Sequence, residues 1–189
     1  MIALDTLKGA ISMNTKEILT RFEALAAQYM RELDAWEMEE LTRKPREEAW
    51  SLGQLYVHLI QSALFLHLPN AVACSQKAPG TKLGGQKTER GAAVYTLGSF
   101  PPIKIHVPPS EQYTPKQPVS KEQLHEGIQQ VLAKMNEVEP AMREASSDHT
   151  LTHPGLGDLH AVEWFRLVEM HYRHHLRQLD TLKEQVAAT

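Results

Sequence analysis

Ten histidines in 189 residues are the feature of this chain that could do chemistry, and three of them are placed to do it together. His171 and His175 are four apart, so on a helix they lie one turn apart on one face, roughly 5–6 Å between Cβ atoms. Both can reach one ligand. Stepping back from them meets Val168 and Trp164, and stepping forward meets Leu179 and Leu182, so the pair belongs to an apolar stripe. His58 lies on a second inward line, Leu55, His58, Ser62 and Phe65. Two neutral imidazoles from one helix and one from another can converge on a cation and leave positions open for water or substrate. One inward histidine alone is most often a core residue satisfied by a single hydrogen bond. Three without a shared partner would leave several buried polar groups unsatisfied, and this combination points to a metal. A protease-type H-E-x-x-H helix is excluded, because Tyr172, Arg173 and His174 stand between the pair.

Other candidates read as structural. Cys74 has no histidine beside it in sequence, so it is expected to be an incidental small residue. Gly84-Gly85 lacks phosphate-loop spacing and reads as a turn. His149 and His153 are expected to flank a turn, with His153-Pro154 shaping the approach to the last helix. Glu163 is expected to cap that helix, and Glu169 to be solvated.

Four amphipathic helices are predicted to carry these residues. Asn14 and Glu17 have capping-box spacing ahead of Ile18, Phe22, Leu25, Tyr29, Leu33 and Trp36, a helix over about 15–40 that stops near Arg43 to Pro45. Ser51 with Gln54 opens the second, which should end at Pro69-Asn70. Ser120 with Gln123 opens the third, whose apolar line is Leu124, Ile128, Val131, Met135 and Val138, and Pro140 should end or kink it. The fourth starts near His160, with Glu163 at the N3 position, and runs almost to the C-terminus. No convincing run of strands accompanies them. The fold class is therefore all-α, an antiparallel four-helix bundle. About fifty residues, 69–118, separate helices two and three and are rich in Gly and Pro. They are expected to form a partly ordered cover over one end of the bundle, with Ile103, Ile105 and Val107 as a short edge strand.

Composition excludes whole classes. Twenty basic against twenty-three acidic residues leave a net charge of -3, without the positive field a nucleic-acid binder uses. A single cysteine rules out an intrachain disulfide framework and fits a reducing cytoplasm. No uninterrupted apolar run reaches the roughly 18 residues of a membrane span, and the first residues carry Asp5 without a basic start, unlike a secretory signal. The length predicts one domain, 1–189, in the cytoplasm.

The segments WSLGQLYVHL, Trp50 to Leu59, and HPGLGDLHAVEWFRLVEMHYRHHLRQLDTL, His153 to Leu182, resemble the two signatures of the DinB/YfiT-like superfamily of metal-binding four-helix bundles. The second is similar to a subgroup with an HP-x-x-G-x-L…EW…H-x-x-x-H-x-x-Q pattern. The resemblance implies an up-down-down-up bundle, for which the long connection between helices two and three leaves room. It implies that His58, His171 and His175 are the metal ligands, with His174 and Gln178 in packing or ligand-supporting positions. His160 departs from the family, which usually offers serine or threonine at that cap, and the 69–118 insert matches no family pattern.

The function this implies is a divalent-metal-dependent enzyme of the thiol S-transferase or hydrolase type, acting on a small molecule. Neutral imidazole suits zinc, nickel, iron and copper; zinc and nickel are the ions expected first, with a low-molecular-weight thiol as co-substrate. A different class stays open: a non-catalytic metal-binding or stress-response module in which the ion fixes the bundle. Neither nucleic acid nor membrane is an expected partner. A homodimer is expected, since Tyr29, Trp36 and Met38 spread wider than one core stripe needs.

Overall fold

A computed structural model of the chain describes residues 14–101 and 114–188. The strand expected at Ile103 to Val107 lies outside the described residues. The chain is mostly helical. Helix α1 spans Thr15–Asp34, and its capping box is present: Asn14 Oδ1 accepts from the Glu17 amide at 2.9 Å, and the Glu17 carboxylate accepts from the Asn14 amide at 3.3 Å. The helix does not continue to residue 40. Glu37 adopts an extended backbone and its amide donates to the Glu40 carboxylate at 2.8 Å, which starts a separate short helix, α2, Met38–Thr42.

Helix α3, Leu52–Ser62, begins with the expected box, Gln54 amide to Ser51 Oγ at 3.1 Å and Ser51 amide to Gln54 Oε1 at 3.0 Å. It does not end at Pro69. A π turn, Ala63–His67, carries the chain without a break into α4, Leu68–Ser75. The Leu68 amide bonds to the Ala63 carbonyl five residues back, and this wider turn accommodates the ring and missing N–H of Pro69. The extra residue also rotates everything after it. Phe65, expected on the inward line of His58, is 75% exposed, while His67 and Leu68 are buried. Leu52–Ser75 is long and apolar enough by composition to cross a membrane, yet Leu52 to Val57 are buried inside the protein and Gln54, His58 and His67 face its interior or its site, so it reads as a core helix.

The segment after α4 holds strand β1, Lys82–Leu83, and helix α5, Glu89–Leu97, capped by Thr88 Oγ1 on the Gly91 amide at 3.0 Å. Helix α6, Lys121–Glu144, starts at the Ser120 cap and runs through Pro140. Two strands that the sequence reading did not anticipate follow: β2, His149–His153, and β3, Gly157–His160. They form an antiparallel sheet in the order β1-β2-β3, with Thr150 opposite His160 and Leu151 opposite Leu159. So His149 and His153 bound a strand, and only His153 stands at a turn. Helix α7, Ala161–Ala187, closes the fold; Glu163 accepts from the His160 amide at 3.1 Å as a cap should.

Side-chain pairs give the directions of the long helices. Phe22 meets Tyr172, and Glu32 pairs with Lys183 at 2.6 Å, so α1 and α7 run the same way. Thr15 Oγ1 donates to Glu139 at 2.5 Å and Asp34 meets His125 at 2.9 Å, so α1 and α6 run opposite ways. α3 and α4 pack on both α6 and α7. Between α1, α3 and α7, three tyrosines lock together: Tyr29 lies edge-on to Tyr56 and Tyr172 at 5.6 and 5.3 Å, and donates to the Tyr172 carbonyl at 2.8 Å. Tyr29 is fully buried, so it is not surplus apolar surface for a partner; Trp36 and Met38 are partly buried against the same core.

Candidate metal centre

His58 comes from the second turn of α3, and His171 and His175 from successive turns of α7. The facing of these helices puts the three rings together. His171 Nε2 lies 3.1 Å from His58 Nε2 and 3.1 Å from His175 Nε2, and one nitrogen from each ring lies within 4.8 Å of the others. Three nitrogens each about 2.0–2.1 Å from a tetrahedral ion would stand roughly 3.3 Å apart, so the spacing suits one cation. Hydrogen bonding among the rings does not account for it. A ring nitrogen offers either one proton or one lone pair, so His171 Nε2 cannot make two well-directed bonds at once. Three lone pairs on one cation remove the conflict.

The electrostatics keep those lone pairs available. Burial pushes His58 down to about 4, and burial with neighbouring His58 takes His175 to about 3. His171 is held well below the usual histidine range by burial first and then by His175, His67, His58 and His174. All three rings are therefore neutral at pH 7. Behind His175, Gln178 Oε1 lies 2.8 Å from Nδ1, so Nδ1 carries the proton and Nε2 keeps its lone pair toward the other rings. The Trp50 ring packs on His58 with centroids 4.9 Å apart. His174, next to the pair, lies against Phe100 with centroids 4.9 Å apart and edge-on to His175 at 5.2 Å.

One residue at this centre escaped sequence reasoning. His67 is only 3% exposed and stands edge-on to His171, ring centroids 5.2 Å apart at 81°. On a regular helix, nine residues after His58 is the opposite face. The π turn removes one residue from that count, a local feature that helical periodicity does not report. The other corrections are smaller. Glu169 is buried, not solvated: it pairs with Arg173 at 2.7 Å, and Arg173 also donates to the Gly98 carbonyl at 2.7 Å, tying α7 to the end of α5. Cys74 is buried, its Sγ 3.7 Å from the Leu159 carbonyl, and burial pushes its thiol up to about 11, which fits an inert packing residue. An apolar cleft of about 400 Å³ lies along α4 and α6, lined by Leu64, Leu68, Val72 and Lys134; none of the three histidines lines it.

The model of the DinB superfamily matches residues 21–179, a span that contains all three converging histidines. The chain belongs to the DinB superfamily. No curated protein and no solved structure matches it. For a DinB-superfamily chain the donor set is what decides whether an ion fits. Three neutral imidazoles, one with its proton fixed on the far nitrogen by Gln178, form a site that could hold a divalent metal ion. Each of the three residues is partly buried, and among the described residues no carboxylate or thiol joins the group.

Proposed function

We propose that this DinB-superfamily protein is a metal-dependent enzyme whose ion, zinc or nickel, is held by His58, His171 and His175. The observation that carries the reading is the double 3.1 Å approach to His171 Nε2, which one cation satisfies and hydrogen bonds do not. In this reading the whole chain is one domain, an up-down-down-up four-helix bundle formed by α1, α3 with α4, α6 and α7, with 69–118 inserted between its second and third helices. The same-direction run of α1 and α7, and the opposite run of α1 and α6, support that topology.

When bound, the ion supplies Lewis-acid stabilisation of a thiolate or hydroxide near neutral pH. The chain's own groups prepare for it. Gln178 holds the His175 proton on Nδ1, so its Nε2 stays free. Burial keeps the three rings unprotonated, and a three-histidine donor set leaves a coordination position for a small electrophilic substrate with a low-molecular-weight thiol or water. The reaction is thiol S-transfer or hydrolysis. The protein is proposed to work in the cytoplasm as a homodimer, away from nucleic acid and membrane.

The test is metal content of the purified protein by elemental analysis, followed by a thiol-conjugation screen and a hydrolysis screen against an electrophile panel with and without chelator. Chelator-sensitive turnover is the expected result. A parent protein that unfolds on chelation at room temperature would mean that the ion fixes the bundle, and the catalytic reading would be abandoned for a structural one.

A further inference from the structure

Next to the three-histidine cluster, the buried rings of His67, His171 and Trp164 bring polar atoms into an otherwise apolar core. Among the described residues, His67 Nδ1, His171 Nδ1 and Trp164 Nε1 have no hydrogen-bond partner. Their rings are neighbours, since His67 lies 5.2 Å from His171 and 6.2 Å from Trp164 between centroids. Leaving such a group buried without a partner is costly, so neighbouring rings that share the defect call for an explanation. His67 is there only because of the π turn. From His58 to His67 a regular helix would turn about 900°, ending on the far side; with one residue absorbed by the bulge, the angle becomes about 800°, which swings His67 toward α7. Such bulges are rare and gather at functional sites.

His171 has a specific need at this spot. With its Nε2 turned to His58 and His175, its proton belongs on Nδ1, a buried donor. His175 meets the same need with Gln178; among the described residues His171 Nδ1 has no such partner. Neighbouring His67 has an equally unpartnered Nδ1 that offers a lone pair when its proton sits on Nε2, and one water with two to four polar partners is a stable internal component.

We propose that His67 is a positioning residue for the metal centre, fixing the proton of His171 on Nδ1 and the orientation of its ring through one ordered water shared with Trp164. The proposal rests on the metal-centre reading above for its consequence, but the orientation of His171 exists in the metal-free protein too. Groups behind ligating histidines typically change metal affinity by 10–100-fold when removed.

The experiment uses the full chain, its His67→Phe variant and its His67→Gln variant, which returns an acceptor. Zinc affinity is measured by competition with a chromophoric chelator, folding by circular-dichroism melts, and ring protonation by long-range ¹H–¹⁵N spectra of the metal-free proteins. The parent should show His171 as a single Nδ1–H tautomer. His67→Phe should mix the tautomers and weaken zinc binding about 10–100-fold while its metal-free melting temperature holds, and His67→Gln should recover most of both. Zinc binding within twofold of the parent and an unchanged His171 spectrum in His67→Phe would overturn the proposal. So would equal losses in both variants, which would make His67 a packing residue. If His67→Phe does not fold, the His67→Gln spectrum decides alone: a retained Nδ1–H signal supports the proposal and its loss overturns it. A parent that binds neither zinc nor nickel refutes the metal-centre reading, and the ring spectra still decide whether His67 orients His171.

Discussion

Replacing His171 with alanine removes the nitrogen common to both 3.1 Å contacts, so the two remaining rings lose the atom that joins them. Loss of a group that merely supports a ligand costs up to about 100-fold in metal affinity, so loss of the central ligand should cost at least that, or about 2.7 kcal/mol. The fold should survive. The deleted ring carries a buried, unpartnered Nδ1, whose removal offsets part of the cavity left behind, and the capping boxes at Asn14 and Ser51 contribute roughly 0.5–2 kcal/mol each without any ion. At free zinc of 100 times its own dissociation constant, the parent should gain about 2.7 kcal/mol over the metal-free form. For a chain of this size that is a rise in Tm of about 5–11 °C. The variant at the same zinc concentration should gain about 0.4 kcal/mol, a rise of about 1–2 °C. Differential scanning calorimetry of both proteins, with zinc and with chelator, measures all four values. Equal zinc-induced shifts in parent and variant would refute the assignment of His171 to the ion.

Four further outcomes are expected. Gln178→Leu removes the acceptor 2.8 Å from His175 Nδ1 and should weaken zinc binding about 10–100-fold in a chelator competition, with little change in the metal-free melt. Acidification should destabilise the metal-free protein. Burial lowers His58 to about 4 and His67 and His175 to about 3 against an ordinary 6.5, so below 6.5 the unfolded chain takes up protons that the folded one refuses. Their stabilisation is therefore fully present above pH 6.5 and is lost as pH falls toward 4 and 3; melts at pH 7.5 and pH 5 that coincide would contradict this. Arg173→Ala strands the Glu169 carboxylate, whose side chain is 2% exposed, and should cost about 3 kcal/mol in urea unfolding. Glu169→Gln should cost less, because the 35% exposed guanidinium can return to water.

The sequence alone determined the local pieces of this protein. Capping at Asn14, Ser51, Ser120 and Glu163 is a contact between residues three apart, so it is legible in the order of residues and appears where expected. The i, i+4 spacing of His171 and His175 on an apolar stripe is local for the same reason, and the two segments around His58 and His171 carried the family resemblance. The E-x-x-E start of α2 at Glu37 and the Pro-Gly turn before Gly157 are also local signals, though weaker ones: the first opens a short helix and the second joins the strands of the β2–β3 hairpin.

What needed the tertiary structure is everything that depends on how one helix is turned against another. Periodicity assumes a fixed 3.6 residues per turn, so it placed Phe65 beside His58 and put His67 on the far side; a single π turn reverses both assignments. Whether Glu169 meets water depends on Gly98 and Arg173 coming together, a contact 75 residues apart in sequence on the Gly98 side. The meeting of His58 with His171 spans 113 residues and exists because α3 and α7 pack face to face. Residue types and spacing could name three candidates for one ion, but only the packing of the two helices puts their nitrogens within its reach.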